Sequence, residues 1–340
     1  MPEILGEYVD RAVNIEMRFG AGLPRGVTHK LYDAARAHHG KPLTWLAASS
    51  LKARIKRGDH VLVVTGAGSW PWLPKGETDG PLGAAAIARA LDFGLGAKCV
   101  VLAEERNLAP VIACVEAAGL VSADRALFDA RTGAAFIQAF PLGLEAGRAE
   151  AQRIIDEFKP TAMVFVEKAG PNQHGIFHSI LGTGRPDTMM ANAHCLVEIA
   201  KAEGILTVGI GDGGNEIGFG LVAEAVREIQ PFGAVCKCPC QGGVATVIGT
   251  DVLVSAAVSN WGAYGIAAMI AALVGDPDVL HDADAEARML VDCVRAGGMD
   301  GAVARLLPMV DGTSAQTQTS LITILHEIIR NGLKTFNRPF

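Results

Sequence analysis

The chain has 340 residues, half of them hydrophobic, with a mean hydropathy of +0.28, a formal net charge of −6 and a pI near 5.9. That apolar content supports a sizeable core, while the acidic balance and the lack of a clustered basic face exclude a nucleic-acid surface. The apolar stretches near 60–65 and 266–274 fall far short of the roughly 20 residues a membrane span requires, so no membrane partner is expected.

Low aromatic content (6%) beside 40 glycines and abundant alanine favours close helix-on-sheet packing in an α/β fold. Seven cysteines, an odd number, suit a reducing compartment better than a disulfide scaffold. The start, Met1-Pro2-Glu3-Ile4, lacks the basic-then-apolar order of a secretory signal, so the expected location is cytoplasmic.

In chain order, residues 1–58 show helical periods at Tyr8 to Arg18, Val27 to His38 and Thr44 to Arg57, punctuated by Gly20-Ala21-Gly22-Leu23-Pro24. This predicts a helical N-terminal extension ahead of an α/β catalytic domain over 59–340. From residue 60, apolar strands alternate with amphipathic helices, the signature of a parallel sheet. The expected strands are His60 to Thr65, Lys98 to Leu102, Ala162 to Glu167, Ile205 to Ile210 and Thr250 to Ala256. Helices are expected at 80–94, 107–119, 143–158, 187–203 and 214–229, then over Ser259 to Gly275, 283–297 and 317–334. The fold class is a doubly wound, mostly parallel sheet flanked by helices, in which ligands bind beyond the carboxyl ends of the strands. Strand order is not readable, and an Ala/Gly-rich apolar chain is compatible with a homodimer without pointing to its interface.

The polar motifs fall at those strand ends. Gly66-Ala67-Gly68 is only half of a dinucleotide fingerprint, because a Trp- and Pro-rich loop, not a helix, follows it. Lys75 and Glu77-Thr78-Asp79-Gly80-Pro81 come next; helix capping explains Thr78 or Asp79 and the proline but leaves Glu77 unused. Glu167 tips a buried strand, and Lys168, His174, His178 and Arg185 supply cations and proton carriers in one loop. In Gly211-Asp212-Gly213-Gly214-Asn215-Glu216-Ile217-Gly218, a strand is expected to end in a glycine-rich turn that opens a helix. Asp212 and Glu216 would then share one face of its first turn. A plain phosphate cradle would avoid two carboxylates, so the loop suits a zwitterion, or an anion with a metal. Asn260 and Trp261 follow the last strand as a polar contact and a pocket wall. Cys236, Cys238 and Cys240 alternate; a strand would put their sulfurs on one buried face, and this structural role is preferred over metal or redox chemistry because no second Cys/His pair lies at zinc-ligand spacing.

Three of these motifs, Glu77-Thr78-Asp79-Gly80-Pro81, the run Gly211 to Gly218, and Ser259-Asn260-Trp261-Gly262, resemble in order and separation the signatures of the D-glutamate cyclase C-terminal domain family. The resemblance covers the chain from about residue 60. Phe219 stands where the family commonly has Met, and Ala263 where Gly is frequent. It implies a lyase that closes D-glutamate, a small-molecule substrate, into 5-oxo-D-proline with loss of water. On that reading Glu167 or Glu216 is the base. The amides of Gly213 and Gly214, with Lys75 or Arg185, stabilise the oxyanion. Asp79 and Asp212 hold the ammonium or a divalent cation, Mg²⁺ or Mn²⁺, and Lys168 or His174 is the acid. Glu77, Asn215, Asn260 and Trp261 complete substrate binding.

Two alternatives belong to other classes. The Gly-Asp-Gly-Gly-Asn-Glu loop also resembles the metal loop of haloacid-dehalogenase-type phosphatases, although Met309 stands where Met309-Val310-Asp311-Gly312-Thr313 would need the nucleophile. A non-catalytic amino-acid or nucleotide sensor is the other, and several buried carboxylates with few cations weigh towards catalysis.

Overall fold

The computed structural model describes residues 2–17 and 23–334. Arg18 and Gly20 to Gly22, expected in the first helix and its turn, lie outside the described residues. Helices α1 (Pro2–Val13), α2 (Val27–His39) and α3 (Leu43–Arg54) precede β1 (His60–Val64) and α4 (Pro81–Leu95). Next come β2 (Lys98–Ala103), α5 (Leu108–Ala117), β3 (Val121–Ala123), α6 (Arg125–Ala130), β4 (Ala134–Ala139), α7 (Leu144–Phe158) and β5 (Ala162–Val166). A hairpin of β6 (Phe177–His178) and β7 (Gly184–Arg185) leads to α8 (His194–Glu203), β8 (Leu206–Gly211), α9 (Ala223–Ile229), β9 (Val252–Ser255) and α10 (Ser259–Val274). The chain continues through α11 (Ala283–Ala296), the hairpin of β10 (Met309–Val310) and β11 (Thr313–Ser314), and α12 (Ala315–Leu333).

Seven strands form one parallel sheet in the order β3-β4-β2-β1-β5-β8-β9, the doubly wound arrangement expected. Winding reverses between β1 and β5, which makes their carboxyl ends the topological switch point. Register there pairs Val64 with Phe165 and Val166 with Ile210, so the loops after β1, β5 and β8 open at one level. Both faces of the sheet are covered. Val61, Val63, Val164 and Val166 face the α1, α3, α4 and α10 side, and Leu62, Val64, Met163 and Phe165 face α7 and α8, so β1 and β5 read as unbroken apolar runs. The helices ahead of β1 share the first core through Val9, Val13, Leu31 and Leu51. Among the described residues no helix is long and apolar enough to cross a membrane.

Several boundaries differ from expectation. The first helix begins at Pro2, a turn and a half before Tyr8. Strands β3 and β4 were not expected; β4 is Ala-Ala-Phe-Ile-Gln-Ala, whose alanines carry little β-propensity, and it is a strand because β2 and β3 pair with it on both sides. The helix expected from 187 starts at His194, after a single turn at Asp187–Met189. That expected from 214 starts at Ala223, and the glycine loop stays irregular.

Helices α4 and α10 cap one another. Asp79, just ahead of α4, accepts the first amides of α10, from Ser259 (3.0 Å) and Asn260 (2.8 Å). In return the Asn260 side-chain carbonyl accepts the amides of Gly80 (2.9 Å) and Gly83 (2.7 Å), and its Nδ2 donates to the Thr78 carbonyl (3.0 Å). Each side chain answers orphan donors that a helix start leaves. Replacing Asn260 with Ala leaves the Gly83 amide and the Thr78 carbonyl without their partner, while the Gly80 amide keeps Asp79 (3.0 Å), so urea unfolding should show a loss of about 2–4 kcal/mol. A loss under about 1 kcal/mol would contradict this capping role.

Candidate active site

The loops beyond β1, β5 and β8 enclose a cavity of about 170 Å³. Its lining includes Glu77, Glu167, Asp212, Asp311, Arg185 and Asn215, with Ala67, Ala169, Ile180 and Gly301 as the smaller walls. Asp79 joins the acids from beneath α10: one oxygen each from Asp79, Glu167 and Asp212 lie within 4.8 Å of one another. Two full charges at that separation repel by about 3–4 kcal/mol at an effective dielectric constant near 20. Three cannot ionise together without a cation.

Each acid is placed by its local backbone. Glu167 follows the last residue of β5 in a left-handed conformation (φ +48°), a strained state for a side chain with a Cβ. Its Oε2 accepts the Ser259 hydroxyl at the start of α10. The segment that carries Glu77 is tied to the C-terminal part of the chain: Thr78 N–H donates to the Met299 carbonyl (2.8 Å) and Thr78 Oγ1 to that of Met309 (2.7 Å). Beyond Met299, Asp300 accepts the amides of Ala302, Val303 and Gly312, which holds Asp311 towards Glu77.

The glycine loop works differently from expectation. Glu216 turns back on it, Oε1 accepting from Asp212 N–H (3.3 Å) and Gly213 N–H (2.9 Å) and Oε2 from Gly214 N–H (2.8 Å). It is buried and absent from the cavity lining. The Gly213 and Gly214 amides expected to hold an oxyanion are therefore already occupied, and Glu216 is the staple of the loop rather than a solvent-facing base. The helical first turn expected here does not form. Gly214 takes φ +97°, and the chain folds back along β8 so closely that a Cβ on Gly209 would sit 2.3 Å from the Ile217 carbonyl oxygen. Asn215 donates from Nδ2 to the His178 carbonyl (3.0 Å), while its Oδ1 is buried without a hydrogen-bond partner beside the cavity. An orphaned acceptor there suits an ammonium or a metal ion.

Five expected site residues lie elsewhere. Lys168 is buried in an ion pair with Glu104 and also donates to the Gly66 carbonyl (3.0 Å), so it ties the chain beyond β5 to the ends of β1 and β2 and is not among the cavity-lining residues. Lys75 is exposed and reaches the Ala296 carbonyl at the end of α11 (3.3 Å). His174 is exposed on its loop, its amide bonded to Asn172. Asn260 serves the helix caps, and Trp261 is fully buried with its indole N–H on Gln318 (2.7 Å), so neither lines the cavity. Sequence reasoning missed Asp311 as a site residue, naming it only inside an unsuited phosphatase pattern; the available signal was an Asp-Gly pair, Asp311-Gly312, like those at Asp79-Gly80 and Asp212-Gly213. Among the lining residues Arg185 is the single basic side chain, and it also donates to the Gly68 carbonyl (3.3 Å).

This imbalance perturbs the acids. Desolvation, then the charge of Asp311, holds the Glu77 carboxyl well above its usual range, with Arg185 opposing. Desolvation with Asp311 and Asp212 does the same to Asp79, and desolvation with Glu216 and Asp212 to Glu167. Burial raises Glu216 too, against the pull of its backbone donors. Burial also lowers the Arg185 guanidinium, with Glu77 opposing.

Fold and site together define an α/β protein with a small, acid-rich pocket at its switch point. The chain belongs to the D-glutamate cyclase-like, C-terminal family, whose model matches residues 27–326. Human mitochondrial D-glutamate cyclase is 32% identical over 105 residues, which make up 31% of this chain and 16% of that protein. Among solved structures, a mutant of O-ureido-L-serine synthase with O-ureido-L-serine bound aligns with 65% of this chain and 61% of its own at 14% identity and a TM-score of 0.18.

Because the folded Glu77 carboxyl sits above its unfolded value, the folded state binds the extra proton; its charge therefore costs stability only as pH rises above the usual glutamate value of 4.5. Glu77→Gln removes that cost. The variant should exceed the parent by about 1 kcal/mol or more in urea unfolding at pH about 8. The gain should vanish below pH 4.5. A gain that persists or grows on acidification would refute the raised carboxyl.

Proposed function

We propose that the chain is a lyase that dehydrates D-glutamate, or a close relative of it, to a 5-oxoproline within the cavity. The observation that carries this reading is the meeting of Asp79, Glu167 and Asp212 within 4.8 Å, beside a lining whose one basic residue is Arg185. Such a wall favours a ligand bearing a positive charge near the acids and a carboxylate near Arg185, and 170 Å³ suits a small amino acid. The donor set also fits a divalent cation: three hard carboxylate oxygens, with the orphaned Asn215 Oδ1 nearby, match Mg²⁺ or Mn²⁺ better than a thiophilic metal. Asp79, Glu167 and Asp212 would hold such a cation, and it would supply neutralisation of the acids and polarisation of the carboxyl under attack.

The chain's own groups account for the proton transfers. Arg185 orients a substrate carboxylate by charge and hydrogen bonding. Glu167, with its raised carboxyl, accepts a proton from the substrate ammonium, freeing nitrogen to attack the γ-carbon. A C–N bond forms and a C–O bond breaks. Two protons leave nitrogen in turn, each to Glu167, and two arrive on the departing oxygen, one passed on by Glu167 and one from a protonated Glu77. Once water has left, Glu167 returns its remaining proton to Glu77, whose charge acts on it, and both groups regain their starting states. Ring closure is intramolecular, and the cavity contributes by folding the substrate.

Purified protein incubated with D- or L-glutamate, with and without Mn²⁺ or Mg²⁺, should form 5-oxoproline from the D isomer, followed by chiral chromatography. Glu167→Gln should lower kcat by about 10²-fold or more, with an unfolding midpoint no lower than the parent's, since burial raises that carboxyl as well. Unaltered turnover in that variant would remove Glu167 from the chemistry, and binding of D-glutamate without turnover would favour a sensor.

A further inference from the structure

Cys236, Cys238 and Cys240 do not lie on a strand. They occupy a turn outside the regular elements, where their sulfurs converge at 3.2–3.4 Å from one another. The residue that completes the group comes from far earlier in the chain: His178, in the β6–β7 hairpin, points Nε2 at Cys238 Sγ (3.3 Å) and Cys240 Sγ (3.6 Å). Separation along the chain hid it from a search for nearby spacing. All four donor atoms lie within 4.8 Å of one another. We infer that this is a structural zinc site of Cys₃His type, built from Cys236, Cys238, Cys240 and His178 and distinct from the acidic cavity.

Three features beyond proximity carry the assignment. First, the edges approach a tetrahedron: zinc–sulfur bonds near 2.3 Å and zinc–nitrogen bonds near 2.05 Å give edges of about 3.8 Å between sulfurs and 3.6 Å from sulfur to nitrogen. Second, the histidine tautomer is fixed. Its Nδ1 lies 3.1 Å from the Ile176 carbonyl, which can only accept, so Nδ1 carries the proton and Nε2 offers its lone pair to the sulfurs. Third, N–H donors face a sulfur as they do around metal thiolates: Cys240 Sγ receives Gly242 N–H at 3.4 Å and Asn172 Nδ2 at 3.6 Å. A disulfide would pair two thiols, strand the third and leave the oriented imidazole unused. Soft sulfur with imidazole selects Zn²⁺, whereas the oxygen-only cavity selects hard cations, so the two sites take different metals.

The site would clamp the hairpin that presents Arg185. Lys237 N–H donates to the Gly182 carbonyl (2.8 Å), Phe177 is in register with Arg185 across the hairpin, and the His178 carbonyl accepts Asn215 Nδ2. Zinc there would bind the turn at 236–240, the hairpin and the glycine loop into one unit. None of this depends on the reaction proposed above.

The test is metal content and cobalt spectroscopy on the full chain. Protein purified from zinc-supplemented cells should carry about one zinc per chain. His178→Ala and Cys238→Ser should each carry about tenfold less or worse, while Asp212→Asn should keep the full complement. If the ligand variants fail to fold, the parent protein decides: stripped with a chelator under reducing conditions and reloaded with Co²⁺, it should show the thiolate charge-transfer and intense d–d bands of a tetrahedral site. Limited proteolysis should cut within 176–185 faster in the stripped protein than in the reloaded one. Weak octahedral cobalt bands, bound iron in place of zinc, or zinc lost with Asp212→Asn would each overturn the assignment.

Discussion

Mutual repulsion among carboxylates crowded at the end of a buried sheet is the constraint around which this molecule is arranged. Asp79, Glu167 and Asp212 converge to within 4.8 Å, and Glu77 and Asp311 face the same cavity. The sheet brings them there because winding reverses between β1 and β5, leaving a crevice where three successive strand ends open together. The fold then holds them against their repulsion with donors that cannot move away: helix-start amides on Asp79, a hydroxyl on Glu167, and loop amides on Asp300 behind Asp311. Lysines do not take part, since Lys168 is consumed by Glu104 and Lys75 lies outside.

A protein that keeps such a cluster forgoes stability that apolar or amide residues would supply, which is the usual sign of a site retained for use. The same economy appears in backbone strain, with Glu167 and Asp311 both in left-handed conformations at φ +48° and +49°. Asp79 and Asn260 link site to scaffold. Asp79 caps α10 while presenting an acid to the cluster, and Asn260 caps α4 in turn, so the position of the acid is set by the packing of two deeply buried helices.

Much of this was legible in the sequence, for identifiable reasons. Apolar runs ending in polar residues marked β1, β5, β8 and β9, and the strand-end rule placed Glu77, Glu167 and Asp212 on one rim. What the sequence could not carry was direction. Glu216 and Asp212 are four apart, but the glycines between them permit a loop in which Glu216 turns inward to its own amides. Lys168 neighbours Glu167 in the chain, yet beyond the end of β5 it is taken up by Glu104 and does not join the cavity lining. Trp261 has the bulk of a pocket wall and the burial of a core residue. Strand β4 was hidden because its alanines favour helix over sheet on their own, and only pairing with β2 and β3 makes the segment a strand. Likewise no local spacing joins His178 to a cysteine turn that only tertiary folding brings near.

The central claim is that the acids beyond β1, β5 and β8 form one centre that takes a cation and a small amino acid together. A crystal structure of the protein soaked with Mn²⁺ and 5-oxo-D-proline tests it most directly. An anomalous manganese peak bounded by Asp79, Glu167 and Asp212 is expected, with the ligand carboxylate on Arg185. Manganese bound elsewhere, or ligand density outside this cavity, would contradict it.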